Sequence, residues 1–102
     1  MHANVSLWKA KSPDSLEKLL SKAEAELVPK LQSQPGFLSF QVVRADGDTL
    51  ILIHTWESKD KADVGLRRLG PWLLTNAATK LSLISRHSGE LVLSSLNTEV
   101  AG

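Results

Sequence analysis

The chain contains no cysteine. Disulfides, thiolate nucleophiles and cysteine-based metal sites are therefore excluded, and the composition suits a reducing compartment. Tyrosine is also absent, and aromatic residues make up only 5% of the sequence, so each one that remains is worth placing. No run approaches the roughly 20 apolar residues of a membrane-spanning helix. The stretch from Met1 to Lys9 lacks the apolar core of a signal peptide. Twelve basic residues against eleven acidic ones leave a net charge of +1, and the basic ones are scattered, so there is no electrostatic footprint for nucleic acid. The three histidines stand far apart, without the spacing of metal ligands. The glycines form no phosphate-binding pattern. These absences predict a soluble, cytoplasmic protein without a metal, nucleic-acid or membrane partner.

What is present reads as one folded domain over residues 1–102, with 42% hydrophobic and 23% charged residues and a frayed tail from Asn97 to Gly102. Residues 3–9 alternate, with Ala3, Val5 and Leu7 on one side and Asn4, Ser6 and Trp8 on the other, which predicts a first strand. Ser12 before Pro13 is a helix N-cap followed by proline at the first helical position. Leu16, Leu19, Leu20, Ala23, Leu27 and Leu31 then recur at helical spacing. Pro29 is expected to kink or end this helix, and Pro35-Gly36 to stop it.

Residues 35–56 organise the rest. Two apolar arms flank Asp46-Gly47, a strong hairpin signal. A two-residue turn there pairs Val43 with Leu50, Gln41 with Leu52, Ser39 with His54 and Phe37 with Trp56, whereas a three-residue loop would slip this register by one. Leu38, Phe40, Val42, Ile51 and Ile53 then make one apolar face, and Phe37, Val43, Leu50, Leu52 and Trp56 the other. Ser58 caps a second helix that Gly70-Pro71 is expected to interrupt, with a shorter helical piece from Trp72 to Thr79. Residues 81–95 read as a last strand with a bulge or bend at Gly89, and Arg86-His87 as a turn.

The order strand, helix, strand, strand, helix, strand is that of an α+β, ferredoxin-like βαββαβ domain. Its four-stranded antiparallel sheet carries both helices on one face. An apolar sheet face left bare by the helices predicts a homodimer packed sheet against sheet.

Pro35-Gly36-Phe37-Leu38-Ser39-Phe40, the hairpin, and Ile53-His54-Thr55-Trp56-Glu57-Ser58-Lys59 entering a helix resemble the antibiotic biosynthesis monooxygenase-like family of the dimeric α/β barrel superfamily. Trp72-Leu73-Leu74-Thr75-Asn76 and Ser88-Gly89-Glu90-Leu91-Val92 match that family's second helix and last strand in the same way. The resemblance implies a dimer with a cleft between sheet and helices in each subunit. In some members that cleft oxygenates flat polyketide quinone precursors without metal or flavin, and in another branch it degrades haem. The haem branch pairs an Asn of the first strand, where Asn4 falls, with a Trp and a His of the second helix. Gly65 and Thr75 stand near those helix positions, so that set is incomplete.

Candidate site residues follow. His54, a lone imidazole in an apolar strand, is either a base that turns a phenol or anthrone into an oxygen-reactive anion, or a satisfied histidine at the dimer interface opposite Ser39. Asn4 either holds a carbonyl or bound oxygen through its amide or caps an edge strand. Trp72 and Asn76, one helical turn apart, offer a stacking wall and a polar clamp, or simply core. Trp8 faces either cleft or core. The leading expectation is a cofactor-independent monooxygenase for a flat aromatic or polyketide-like molecule, with His54 and Asn4 catalytic and Trp72, Asn76 and Trp8 binding substrate. The rival is a non-catalytic, dimeric ligand-binding or stress-response module of the same fold. An RNA-binding variant of this topology would need basic residues around Phe37 and Phe40, and these are missing.

Overall fold

A computed structural model describes residues 1–95; the expected tail at 97–102 lies outside the described residues. Strand β1 (His2–Ala10) leads into helix α1 (Pro13–Lys22), a π-helical segment (Ala23–Leu27) and helix α2 (Val28–Gln32). The hairpin β2 (Phe37–Arg44) and β3 (Thr49–Trp56), helix α3 (Lys59–Asn76) and strand β4 (Leu81–Glu90) complete the order. The sheet runs β2-β3-β1-β4 and every neighbouring pair is antiparallel. This is the ferredoxin-like βαββαβ fold that the element order predicts. No helix is long and apolar enough to cross a membrane among the described residues.

Both main helices start as read. The Ser12 and Ser58 hydroxyls accept hydrogen bonds from the backbone N–H groups of Ser15 and Lys61, satisfying donors that have no partner inside a first turn. Leu16 and Leu19 of α1 and Leu27 and Leu31 beyond it face the sheet and are buried. Pro29 does not end the helical run. Its ring would press on the carbonyl four residues back. The preceding turn widens instead, with the Val28 N–H donating to the Ala23 carbonyl five residues back, and the run continues to Gln32.

Pro71 does not interrupt α3 either: the helix passes unbroken from Lys59 to Asn76. A residue before proline is pushed out of helical geometry by clashes of the proline Cδ with its N–H and its Cβ. Gly70 has no Cβ, and Pro71 itself lies on the exposed side.

The hairpin register differs from the expected one. Arg44 pairs with Leu50, Val43 with Ile51, Val42 with Leu52, Gln41 with Ile53, Phe40 with His54 and Ser39 with Thr55. Four residues, Ala45 to Asp48, connect the strands, closed by the Ala45 N–H donating to the Thr49 carbonyl at 2.9 Å. Gly47 takes φ +65° there, a left-handed conformation that suits glycine. The longer loop slips the pairing by one residue, and a bulge at Leu38 restores the expected Phe37–Trp56 pair. The two predicted faces are therefore mixed. Phe40, Val42, Leu50, Leu52, His54 and Trp56 look toward the helices, while Gln41, Val43, Ile51 and Ile53 look away. Strand β4 also departs from expectation. Arg86-His87 lies within it rather than in a turn, it ends at Glu90, and its register shift leaves Ile84 unpaired rather than Gly89.

Two core clusters hold the helices to the sheet. Leu16, Leu19, Leu50 and Leu81 anchor one; Leu27, Leu31, Trp56, Ala62 and Leu69 anchor the other. Trp56 is fully buried, with the Phe37 ring against it edge-on at 5.4 Å. Gly65 makes this seat possible. A Cβ at Gly65 would fall 2.3 Å from the Trp56 ring, so only glycine lets α3 come this close to β3.

Candidate functional site

Between α3 and the sheet lies a cavity of about 540 Å³, within the roughly 300–1,000 Å³ of small-molecule sites. Alternation along β1 sends Asn4, Ser6 and Trp8 to its floor, with Leu52 and His54 of β3 on one side and Arg86 of β4 on the other. Asn4 stands directly across from His54, and Ser6 lies between Leu52 and Arg86. The opposite wall is apolar: Leu66, Leu73, Leu74, Ala77 and Leu81. The floor is thus polar under a greasy roof. Among the described residues, Arg86 is the one charged side chain in the lining and no carboxylate borders it.

Three local arrangements give this floor its chemistry. The Trp8 indole N–H donates to the Ser6 hydroxyl at 2.8 Å, which turns the indole along the floor. The Asn4 amide nitrogen is buried and makes no hydrogen bond among the described residues. An unpaired buried donor costs about 1–3 kcal/mol, an arrangement that invites a ligand acceptor. Finally, the Trp56 indole N–H donates to His54 Nδ1 at 2.8 Å. An indole N–H can only donate, so Nδ1 is bare and the neutral ring carries its proton on Nε2. Burial, followed by the nearby His2 and Arg86, lowers the His54 pKa from 6.5 to about 4 and keeps the ring neutral.

Of the residues singled out from sequence, the structure brings together Asn4, His54 and Trp8. His54 faces the cavity across from Phe40 and is neither on the bare sheet face nor opposite Ser39. Ser39 instead shares a hydroxyl hydrogen bond with Thr55 at 2.5 Å on that other face. Trp72 and Asn76 lie behind the wall and do not line the cavity. Trp72 touches both core clusters and donates its N–H to Glu26 at 3.1 Å, and the Asn76 amide donates to the Trp72 carbonyl at 2.9 Å. Sequence reasoning missed Ser6 and Arg86. Ser6 shares the alternation of Asn4 and Trp8, so it was within reach. Arg86 needed the β1–β4 register, which no local signal supplies. Among the described residues no group of three or more histidines and carboxylates gathers as a metal site.

Comparison with solved structures places this architecture. HapK from Hahella chejuensis superposes with a TM-score of 0.83 at 10% identity, covering 97% of this chain and all of that one. SnoaB from Streptomyces nogalater, a cofactor-independent oxygenase, superposes with a TM-score of 0.73 at 18% identity over 91% of this chain and 94% of its own. A dimeric ferredoxin-like protein from an uncultured marine organism matches with a TM-score of 0.71 at 13% identity over 94% and 98%. No curated protein sequence matches the chain. The sequence model of the antibiotic biosynthesis monooxygenase family matches residues 5–64, more than half of the chain and the whole span from β1 into α3. The chain belongs to the antibiotic biosynthesis monooxygenase family.

Proposed function

We propose that this protein is a cofactor-independent monooxygenase of a flat, hydroxylated aromatic molecule held in the cavity between α3 and the sheet. The observation that carries this reading is the unpartnered Asn4 amide on the polar floor of an otherwise apolar cavity. Family membership and the likeness to SnoaB support it. Apolar walls suit the rings, the Trp8 indole offers a stacking surface, and the polar groups collect on one side to meet the substrate's oxygens. The chemistry balances without a further oxidant or reductant. The methylene carbon of an anthrone loses both its hydrogens and takes one atom of dioxygen as a carbonyl oxygen. The other oxygen atom leaves as water with those two hydrogens, and the ionised substrate supplies the electrons. Trp72 and Asn76, hydrogen-bonded to Glu26 and to each other, brace α3 rather than touch substrate. The proposed assembly is a homodimer through the sheet face away from the helices.

The test is oxygen consumption with 1,8-dihydroxyanthrone, corrected for the uncatalysed reaction. The wild-type chain should accelerate uptake, and Asn4→Ala should reduce the enzymatic rate by about 100- to 1,000-fold, as loss of one preorganised donor does elsewhere. Binding without accelerated uptake would sink the oxygenase reading in favour of a non-catalytic ligand carrier.

A further inference from the structure

Resting on the reading of this cavity as an aromatic-substrate site, we propose that Trp56 holds His54 as a hydrogen-bond donor, and that His54, Asn4 and Arg86 together form a receptor for the ionised oxygen of a phenol or enol. Trp56 is a positioning residue here. It sits two residues along β3 on the same side as His54, fully buried, its ring locked by Phe37 and by the absence of a side chain at Gly65. Its N–H occupies His54 Nδ1. For His54 to serve as a base through Nε2, its proton would have to move to Nδ1 and face the Trp56 N–H, donor against donor. The wild-type ring therefore presents an N–H to the cavity.

The other two groups agree in sign. The Asn4 amide nitrogen is a donor without a partner, directly across the strand pair from His54. Arg86, two strands over from His54, is donor-only and makes no ion pair among the described residues. Ser6, between them, already receives the Trp8 N–H, which leaves its own hydroxyl hydrogen free to donate as well. A floor that among the described residues holds donors, one cation and no carboxylate discriminates against a neutral, proton-bearing phenol and favours the phenolate or enolate, whose oxygen accepts all of them. The phenol proton goes to water and none is taken up by His54. This assigns the protein the task of stabilising the anion, not of generating it with a side-chain base.

The test follows the ionisation of a bound chromophore and does not require turnover. 2-Hydroxyanthraquinone changes colour on losing its proton, so its titration can be read in the free and the bound state. The wild-type protein should lower the probe's pKa by about one to two units, the range expected for an adjacent cation and hydrogen bonds to the charged form. His54→Gln, which keeps an N–H donor but no basic nitrogen, should retain most of that shift; His54→Leu and Arg86→Leu should each lose much of it. Nitrogen NMR of the wild-type imidazole should show Nε2 protonated and Nδ1 bare, and Trp56→Phe should relax the ring toward a mixture of both tautomers. A protonated Nδ1 in the wild type, a probe bound in its neutral form, or equal losses in His54→Gln and His54→Leu would each overturn the proposal. None of these readouts depends on oxygen uptake. A lowered probe pKa without oxygen consumption would leave the anion receptor standing and remove the oxygenase.

Discussion

At the scale of single residues, Asn4 separates a ligand site from a structural one. A capping or core asparagine would be hydrogen-bonded, and its loss would destabilise the fold. The Asn4 amide is buried and unpaired. Asn4→Leu should therefore leave the ligand-free protein as stable as the wild type or more so, by about 1 kcal/mol, because the uncompensated donor is removed. The same change should abolish ligand binding. Urea denaturation alongside tryptophan-fluorescence titration checks both halves; destabilisation beyond about 1 kcal/mol would return Asn4 to a structural role.

His54 makes a second, signed prediction. Its folded pKa lies near 4, below the ordinary 6.5. Between those values the unfolded chain takes up a proton that the buried ring refuses, so stability is complete above about pH 6.5 and drains away as the pH falls toward 4. A shift of this size corresponds to at most about 3 kcal/mol, and to roughly half that once solvent screening at the cavity edge is allowed for. His54→Gln should flatten this segment of the stability-against-pH curve. An unchanged acid limb would mean that other groups carry it.

The secondary-structure elements show what local sequence carries and what it does not. Ser12-Pro13, Ser58 and the leucine spacing place the helix starts because capping and periodicity are local properties. The alternation in β1 likewise put Asn4, Ser6 and Trp8 on one side, and they do share the cavity floor. The hairpin register escaped. Asp46-Gly47 marks a turn, but the length of the loop is settled by which residues fit beneath the helices. A slip by one residue carried Phe40 and Val42 onto the face of Leu50, Leu52 and His54 and set His54 opposite Phe40 instead of Ser39. The positions of Trp72 and Arg86 depended on tertiary contacts with Glu26 and β1. Pro71 belongs here too. Gly70-Pro71 predicts a break in sequence, yet α3 absorbs the proline because Gly70 precedes it. The missing backbone donor still costs stability. Proline is about 3 kcal/mol worse than alanine inside a helix, offset by up to about 1 kcal/mol through its stiffening of the unfolded chain. Pro71→Ala should then raise the stability by about 1–2 kcal/mol in chemical denaturation, with the circular dichroism spectrum unchanged. A loss of stability would show that the proline ring has a packing role on its exposed face.

At the scale of the whole molecule, the helices among the described residues lie on one side of the sheet only. On the other side Val5 and Leu7 of β1, Val43 of β2 and Ile51 and Ile53 of β3 form a contiguous apolar surface across three adjacent strands, and Val43 is 45% exposed. Leaving such a surface in water forgoes about 25 cal/mol for each Å² of apolar area. A second copy of the same face is self-complementary under a two-fold axis, so one interface covers both exposed surfaces at once. The proposed homodimer follows, and with it a consequence for stability. If the faces are covered only in the dimer, the melting temperature should rise with protein concentration. Ile53 sits at the centre of this face, on an inner strand flanked by β1 and β2. Ile53→Lys would bury a charge without a partner, and light scattering at micromolar concentration should then report the mass of one chain where the wild type gives two. Val64→Lys, on the exposed side of α3, should leave the wild-type mass unchanged. A wild-type mass of one chain, or a melting temperature independent of concentration, would require another cover for the face. Because the cavity lies on the opposite side of the sheet, an Ile53→Lys monomer that still folds should also keep its affinity for an aromatic ligand. Binding lost together with the dimer would mean that the partner subunit shapes the cavity through β1 and β3, the two strands that carry Asn4 and His54.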